Sequence, residues 1–390
     1  AINRTAYSRA IKSNRPDAVT GRQSEAMTKI EHKSTARPSR SVLMRNPIGT
    51  IYYLLPDIQR TKFKLIDLAR SARNGQLSQH VRKHWLGRHK PVGGVKVMYQ
   101  HCLMLKSLGY DARILQLGKY EGNFFDYPIK PIHIDQTGYE LRPNDVVVCP
   151  ELYPELAFRF LNAHRILFVQ NYPHLYRPRP GLGPFQSYAE AGFSEVMYCS
   201  RFLLTKLTPE PRSQLHLVSN FIDHSRFKPA PSLKVAGRIL AFPRKNAGDL
   251  QAIMAACSDF KADFHLVDGL AESQIIREYQ AADIFLATGY PEGFGLPPLE
   301  AMACGAAVAG FTGGGASEYM RHEDTALIVT DGDTDGAANA IRRLRSDRVL
   351  AERLRRNGES VARTYTMENS ISQLSAFFKK IATEMEARRK

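Results

Sequence analysis

Two glutamates, Glu292 and Glu300, flank a glycine-bearing loop within the run IFLATGYPEGFGLPPLEAMACGAAVAGFTGGG, residues 284–315. A carboxylate accepts hydrogen bonds from sugar or ribose hydroxyls. Gly293 and Gly295 let the backbone approach a ligand closely. The prolines at 297 and 298 favour a helix that begins at Pro298 and closes at Gly305. A helix start presents unpaired N–H groups and partial positive charge, which suit a phosphate. Together these residues can recognise a polyhydroxylated ligand that carries phosphate. The same spacing also suits a plain loop with a glutamate that the helix dipole favours, so both readings stand at this point.

A second acidic cluster, Asp331-Gly332-Asp333, invites a divalent-metal reading. It lies well past the glycine loop, between an apolar strand and a helix starting near Asp335. A turn that caps that helix is the simpler account, and no metal site is expected.

Strands and helices must position these groups. The apolar runs 284–287 and 306–311 read as buried strands on either side of the loop. Strand and helix alternate before it: strand 238–242, helix 250–257, strand 264–267, helix 275–281. Further strands read at 51–55, 112–115, 145–148, 165–169, 195–199 and 215–219, with an apolar-periodic helix over 95–108. Such alternation means parallel sheets with right-handed crossovers. Helices are expected over 335–357 and 367–388. Gly94, in the glycine turn before the 95–108 helix, is a candidate to receive phosphate or sugar. That turn is not G-x-G-x-x-G, which disfavours a dehydrogenase. Strand 165–169 delivers Gln170, Asn171, Tyr172, Pro173 and His174 at its C-terminal end, where ligands bind in open α/β sheets.

The segment Glu292-Gly293-Phe294-Gly295-Leu296-Pro297-Pro298-Leu299-Glu300 resembles the E-x7-E donor motif of retaining GT-B glycosyltransferases, the GT4-like group. The resemblance implies that Glu292 contacts a donor sugar and Glu300 the ribose of its nucleotide. The amides of Gly293, Phe294, Gly295 and Leu296 would serve the sugar and phosphates. Gly93-Gly94 is similar to the opening of such N-terminal domains, and FVQNYPHLY to a segment at the same place. His174 is then the candidate to contact the reacting sugar or an acceptor hydroxyl. Arg244 and Lys245 stand where the family carries an Arg and a Lys on the diphosphate, which would offset charge building on the leaving nucleotide. Asn220-Phe221-Ile222-Asp223 resembles the NGxD linker between domains, with Phe221 in place of glycine.

The fold implied is α/β, GT-B, with two Rossmann-like domains facing a cleft. The expected layout is a basic extension over 1–45 and an acceptor domain over 46–222 with a basic insertion at 57–91. A nucleotide-sugar domain over 223–366 and a C-terminal helix over 367–390, packing back on the first domain, complete it. The activity implied is metal-independent, retaining transfer from a nucleotide sugar to a glycan or lipid-linked acceptor, with no cofactor. Bacterial relatives of this kind commonly build surface polysaccharide. Another GT-B enzyme, such as a sugar-nucleotide epimerase or a phosphorylase, and a non-catalytic protein that binds an anionic surface or nucleic acid are the alternatives.

The chain of 390 residues carries a net charge of +16. Residues 1–91 hold 19 Lys/Arg against 5 Asp/Glu, so nearly all of the excess lies in the first quarter. Charge this localised implies an anionic partner. An anionic membrane surface fits best, because Leu, Ile and Trp85 interleave with the cations between 65 and 85 as in a basic amphipathic helix. Nucleic acid is disfavoured, since no RNA-binding motif is visible. Five scattered cysteines form neither a disulfide framework nor a zinc pattern. With no signal peptide or membrane span visible, a cytoplasmic protein peripheral to the inner face of the membrane is expected.

Overall fold

The computed structural model describes residues 46–55, 93–117, 127–134 and 140–388. The basic segments 1–45 and 57–91 therefore lie outside the described residues. Two parallel sheets make up the rest.

The first sheet holds seven strands in the order β3-β2-β1-β4-β5-β6-β7. They are β1 (Thr50–Leu55), β2 (Asp111–Leu117), β3 (Ile132–Ile134), β4 (Val146–Pro150), β5 (His164–Val169), β6 (Glu195–Tyr198) and β7 (Leu215–Leu217). The central ones are continuous apolar runs, as strands covered on both faces must be. Helix α1 (Gly93–Ser107) packs against β2 and β1. The short α2 (Arg201–Leu204) follows β6, with Ser200 accepting from the Leu203 N–H as its cap.

The second sheet has the order β12-β11-β10-β8-β9. Its strands are β8 (Ile239–Ala241), β9 (Phe264–Leu266), β10 (Ile284–Ala287), β11 (Ala307–Gly310) and β12 (Leu327–Ile328). Helices α3 (Ala247–Ala256), α4 (Glu272–Ala281) and α5 (Leu296–Ala303) connect them, and α6 (Thr334–Ser346), α7 (Arg348–Ala362) and α8 (Met367–Ala387) follow. Alternate residues of β10 face opposite layers. Ile284 and Leu286 join a core with α3, α6 and α7, whereas Phe285 and Ala287 join the apolar cluster that continues into the first sheet. In each sheet the strand order reverses at one point, between β1 and β4 and between β8 and β10. Crevices at such points, beyond the carboxyl ends of the strands, are where open α/β sheets bind ligands.

The structure corrects the expected helices in two places. Residues 335–357 are not one helix but α6 and α7, divided at Asp347, whose carboxylate accepts from the Leu350 N–H and caps α7. Helix α5 begins at Leu296 rather than Pro298, after Gly295 at φ 79°. Glycine takes that left-handed conformation without the Cβ penalty. Helix α8 lies on the first sheet: Lys380 reaches Glu195 at 2.7 Å, and the Ser370 hydroxyl donates to the Ser219 carbonyl.

Candidate active site

The loop after β8 and the loop after β10 meet at the reversal point of the second sheet. Lys245 Nζ lies 2.7 Å from Glu292 Oε1 and 2.9 Å from the Pro291 carbonyl. Neither side chain is buried, so a ligand can reach both. Arg244, its neighbour, is exposed. Of the two expected cations, Lys245 is paired with Glu292.

Backbone pairing fixes Glu292. Its N–H donates to the Gly313 carbonyl at 2.8 Å, and the Gly315 N–H donates to its carbonyl at 2.9 Å. The close approach explains the glycines there: a Cβ on Gly313 would come within 2.6 Å of the Gly289 carbonyl oxygen. Phe294 is 3% exposed and packs on Tyr319 and Tyr365, so its ring belongs to the core and only its backbone faces the loop. Pro297 and Pro298 lack N–H groups. Because α5 starts earlier than expected, both fall in its first turn. The phosphate-attracting dipole remains there, but two amide donors of that turn are missing, leaving Gly295 and Leu296 at its edge.

Glu300 sits deeper, 8% exposed, on α5. Its Oε1 is 3.0 Å from Lys96 Nζ of α1, and its Oε2 accepts from the Tyr279 hydroxyl at 2.9 Å. Lys96 also lies 2.5 Å from Glu272, which pairs with Arg226. Burial alone would lower the Lys96 pKa, yet Glu300 and Glu272 outweigh it and hold the ammonium above its ordinary range. Burial likewise works to raise Glu272, and Lys96 with Arg226 keeps it below the usual carboxylate value.

From the first sheet, the loop after β5 closes on the same unit. The Asn171 side-chain amide donates to the Pro291 carbonyl at 3.4 Å, and the Tyr172 hydroxyl donates to the Gly313 carbonyl at 3.4 Å. Ser200 donates to the Gly293 carbonyl at 2.5 Å. Behind this loop, buried Glu151 accepts from the Gln170 N–H at 3.1 Å, and burial pushes its carboxyl up to about 7 against those backbone donors. His174 stands on the same loop, half-buried. Burial, then the charges of Arg177 and Arg179, lowers its imidazole pKa. It makes no hydrogen bond to Glu292 or Lys245, so the structure does not draw it into that pair. Gly94 packs against the Gln170 side chain, 3.1 Å from where a Cβ would stand.

Asp331 and Asp333 serve the backbone. Asp331 accepts from the Gly313 N–H, and Asp333 caps α6 by accepting from Gly336. Lys96, Tyr279 and Ser200 were not singled out from the sequence, whereas Asn171 and Tyr172 were named only as residues at the end of strand 165–169. Only Lys96 carries a local signal, a cation in the first turn of a glycine-opened helix.

Residues 242–361, which contain this loop unit, match the family model described as "Glycosyl transferases group 1". Among curated proteins, the chain is similar to an N-acetyl-alpha-D-glucosaminyl L-malate synthase of Bacillus anthracis, 36% identical over 98 residues, 25% of this chain and 26% of that one. A lipopolysaccharide core biosynthesis glycosyltransferase, LpsD, of Rhizobium meliloti is 38% identical over 92 residues, 24% of this chain and 27% of that one. These matches thus span about a quarter of the relatives' lengths. A sucrose-phosphate synthase from Thermosynechococcus elongatus shares the fold with TM-score 0.62 at 14% identity, covering 86% of this chain and 100% of that one. Two parallel α/β domains of this order share the GT-B architecture of that structure, and residues 242–361 of the chain are similar to the glycosyl transferases group 1 family.

Proposed function

We propose that the chain is a retaining glycosyltransferase that moves a sugar from a nucleotide-sugar donor to a glycan or lipid-linked acceptor in surface polysaccharide synthesis. The observation that carries this reading is the Lys245–Glu292 pair at the reversal point of the second sheet. Lys245 would meet the diphosphate and Glu292 the donor sugar, with Glu300 accepting from ribose hydroxyls. As the bond from the anomeric carbon to the phosphate oxygen breaks, negative charge gathers on the leaving nucleotide, and a fixed cation there lowers the barrier. The acceptor oxygen bonds to the anomeric carbon on the same face. Its proton passes to the departing phosphate, and the nucleoside diphosphate leaves. In this account the counter-charge comes from Lys245, and no metal takes part.

The acceptor would lie toward the first sheet, where Asn171, Tyr172 and His174 edge the loop. Among the described residues no helix is long and apolar enough to cross a membrane. The proposed cytoplasmic, peripheral attachment rests on the basic residues of 1–91. A thermal-shift panel of nucleotide sugars tests the donor reading, because a ligand of the native state adds about 2.7 kcal/mol of stability at a hundred times its Kd. Stabilisation by at least one nucleotide sugar is expected. A flat panel at millimolar concentrations would overturn the reading.

A further inference from the structure

The carboxylate assigned above to ribose is already occupied, and the group occupying it comes from the other domain. Lys96 belongs to α1 of the first domain, whereas Glu300 and Glu272 belong to α5 and α4 of the second. The ammonium lies 3.0 Å from Glu300 and 2.5 Å from Glu272, with its charge over the Phe227 ring at 4.8 Å. Lys96 and Glu300 are each 8% exposed, so the space a ribose would need beside Glu300 is filled. The other oxygen of Glu300 is held by Tyr279.

We propose that Lys96 is an interdomain latch that competes with the donor ribose for Glu300, so that nucleotide binding must break the Lys96–Glu300 contact. This inference rests on the donor reading given above. Three features make the contact breakable. Lys96 keeps Glu272 when it leaves Glu300, because an ammonium has three donors and needs only one for each partner. Glu300 keeps Tyr279 and gains ribose hydroxyls. The Lys96 ammonium also sits on a long flexible stem, so it can swing away from Glu300 and stay on Glu272 without any movement of the backbone. Affinity for the nucleotide is then reduced by the fraction of molecules in which the latch is closed.

Calorimetric titration of the full chain with UDP and, in parallel, GDP tests this on wild type, Lys96→Met and Lys96→Arg. Methionine retains apolar volume over Phe227 but no charge, and Glu272 keeps Arg226. The latch account expects Lys96→Met to bind the preferred nucleotide about 5–10-fold more tightly, within the usual range of coupling between sites. Lys96→Arg should stay near wild type. A merely structural role gives the opposite sign, since damage to the seam weakens binding. If Lys96→Met does not fold, Lys96→Gln, which keeps a donor for Glu272, replaces it with the same expectation. Wild-type binding that neither neutral variant tightens would sink the latch alone. Failure of both nucleotides to bind wild type and the neutral variants would sink the donor reading and the latch together.

Discussion

Lys245 Nζ stands 2.7 Å from Glu292 Oε1, joining the two loops that leave β8 and β10 on either side of the sheet's reversal point. If this cation meets charge that builds on the leaving diphosphate, Lys245→Ala should lower kcat more than it raises KM. A loss on the order of 10²-fold in kcat matches the removal of one fixed electrostatic donor. Steady-state kinetics of Arg244→Ala beside it should show the smaller effect, because Arg244 is exposed. Near-wild-type kinetics for Lys245→Ala would remove it from the mechanism. The wild-type rate should also persist in EDTA, and a Mn²⁺-reversible loss would return Asp331 and Asp333 to consideration as ligands.

Gly293 carries the seam between the domains. A Cβ there would fall 2.1 Å from the Gln170 carbonyl oxygen and 2.8 Å from its carbon, both backbone atoms that cannot rotate away. Gly293→Ala should therefore force the two loops apart and cost roughly 1–3 kcal/mol, the usual range for overpacking. Urea denaturation measures the cost. A variant as stable as wild type would mean that the approach of the two loops is looser than described.

Glu151 predicts a pH dependence whose sign follows from its burial. Its carboxyl is pushed up to about 7 in the folded chain, against an ordinary value of 4.5. The neutral form is thus favoured by folding. Its contribution is fully present below pH about 4.5 and is lost as pH rises through 7. The gap corresponds to roughly 2–4 kcal/mol. Glu151→Gln does not titrate, so its stability relative to wild type should rise between pH 5 and pH 8. Parallel unfolding curves with no such crossover would show that Glu151 ionises without cost in the fold.

The basic first quarter predicts attachment to anionic surfaces. Each Lys or Arg near an anionic leaflet contributes about 1 kcal/mol. The chain should sediment with anionic but not neutral liposomes, and less so as salt screens the charges. Reversing Arg70, Arg73, Arg82 and Lys83 to Glu should release it. Tighter binding to RNA or DNA than to anionic liposomes in the same buffer would contradict the membrane reading.

The parallel sheets were legible because their strands are short apolar runs bounded by turn residues, as in 284–287, which is β10 itself. Strand β3, Ile132–Ile134, was not read, since three residues around a histidine carry no period. The break at Asp347 escaped because the apolar spacing of α6 continues into α7, and only the capping carboxylate marks the division. The Glu292–Glu300 unit was legible as a local motif. Its partners were not. Lys96 reaches Glu300 across 204 positions, and Ser200 reaches Gly293 across 93, pairings that only the docking of two domains creates. His174 was picked for its chemistry, whereas Asn171 and Tyr172 on the same loop make the contacts.

The most direct test of the donor site compares the affinities of a nucleotide sugar and of its free nucleoside diphosphate in wild type, Glu292→Ala and Glu300→Ala, by calorimetry. A hydrogen bond to a charged group is worth about 1.5–3 kcal/mol, so each lost contact should weaken binding by roughly 10- to 150-fold. The account predicts that Glu300→Ala weakens both ligands alike, as loss of a ribose contact must. Glu292→Ala should weaken the nucleotide sugar while leaving the free diphosphate nearly unchanged. Unaltered affinity for both ligands in both variants would contradict the placement of the donor between these two glutamates.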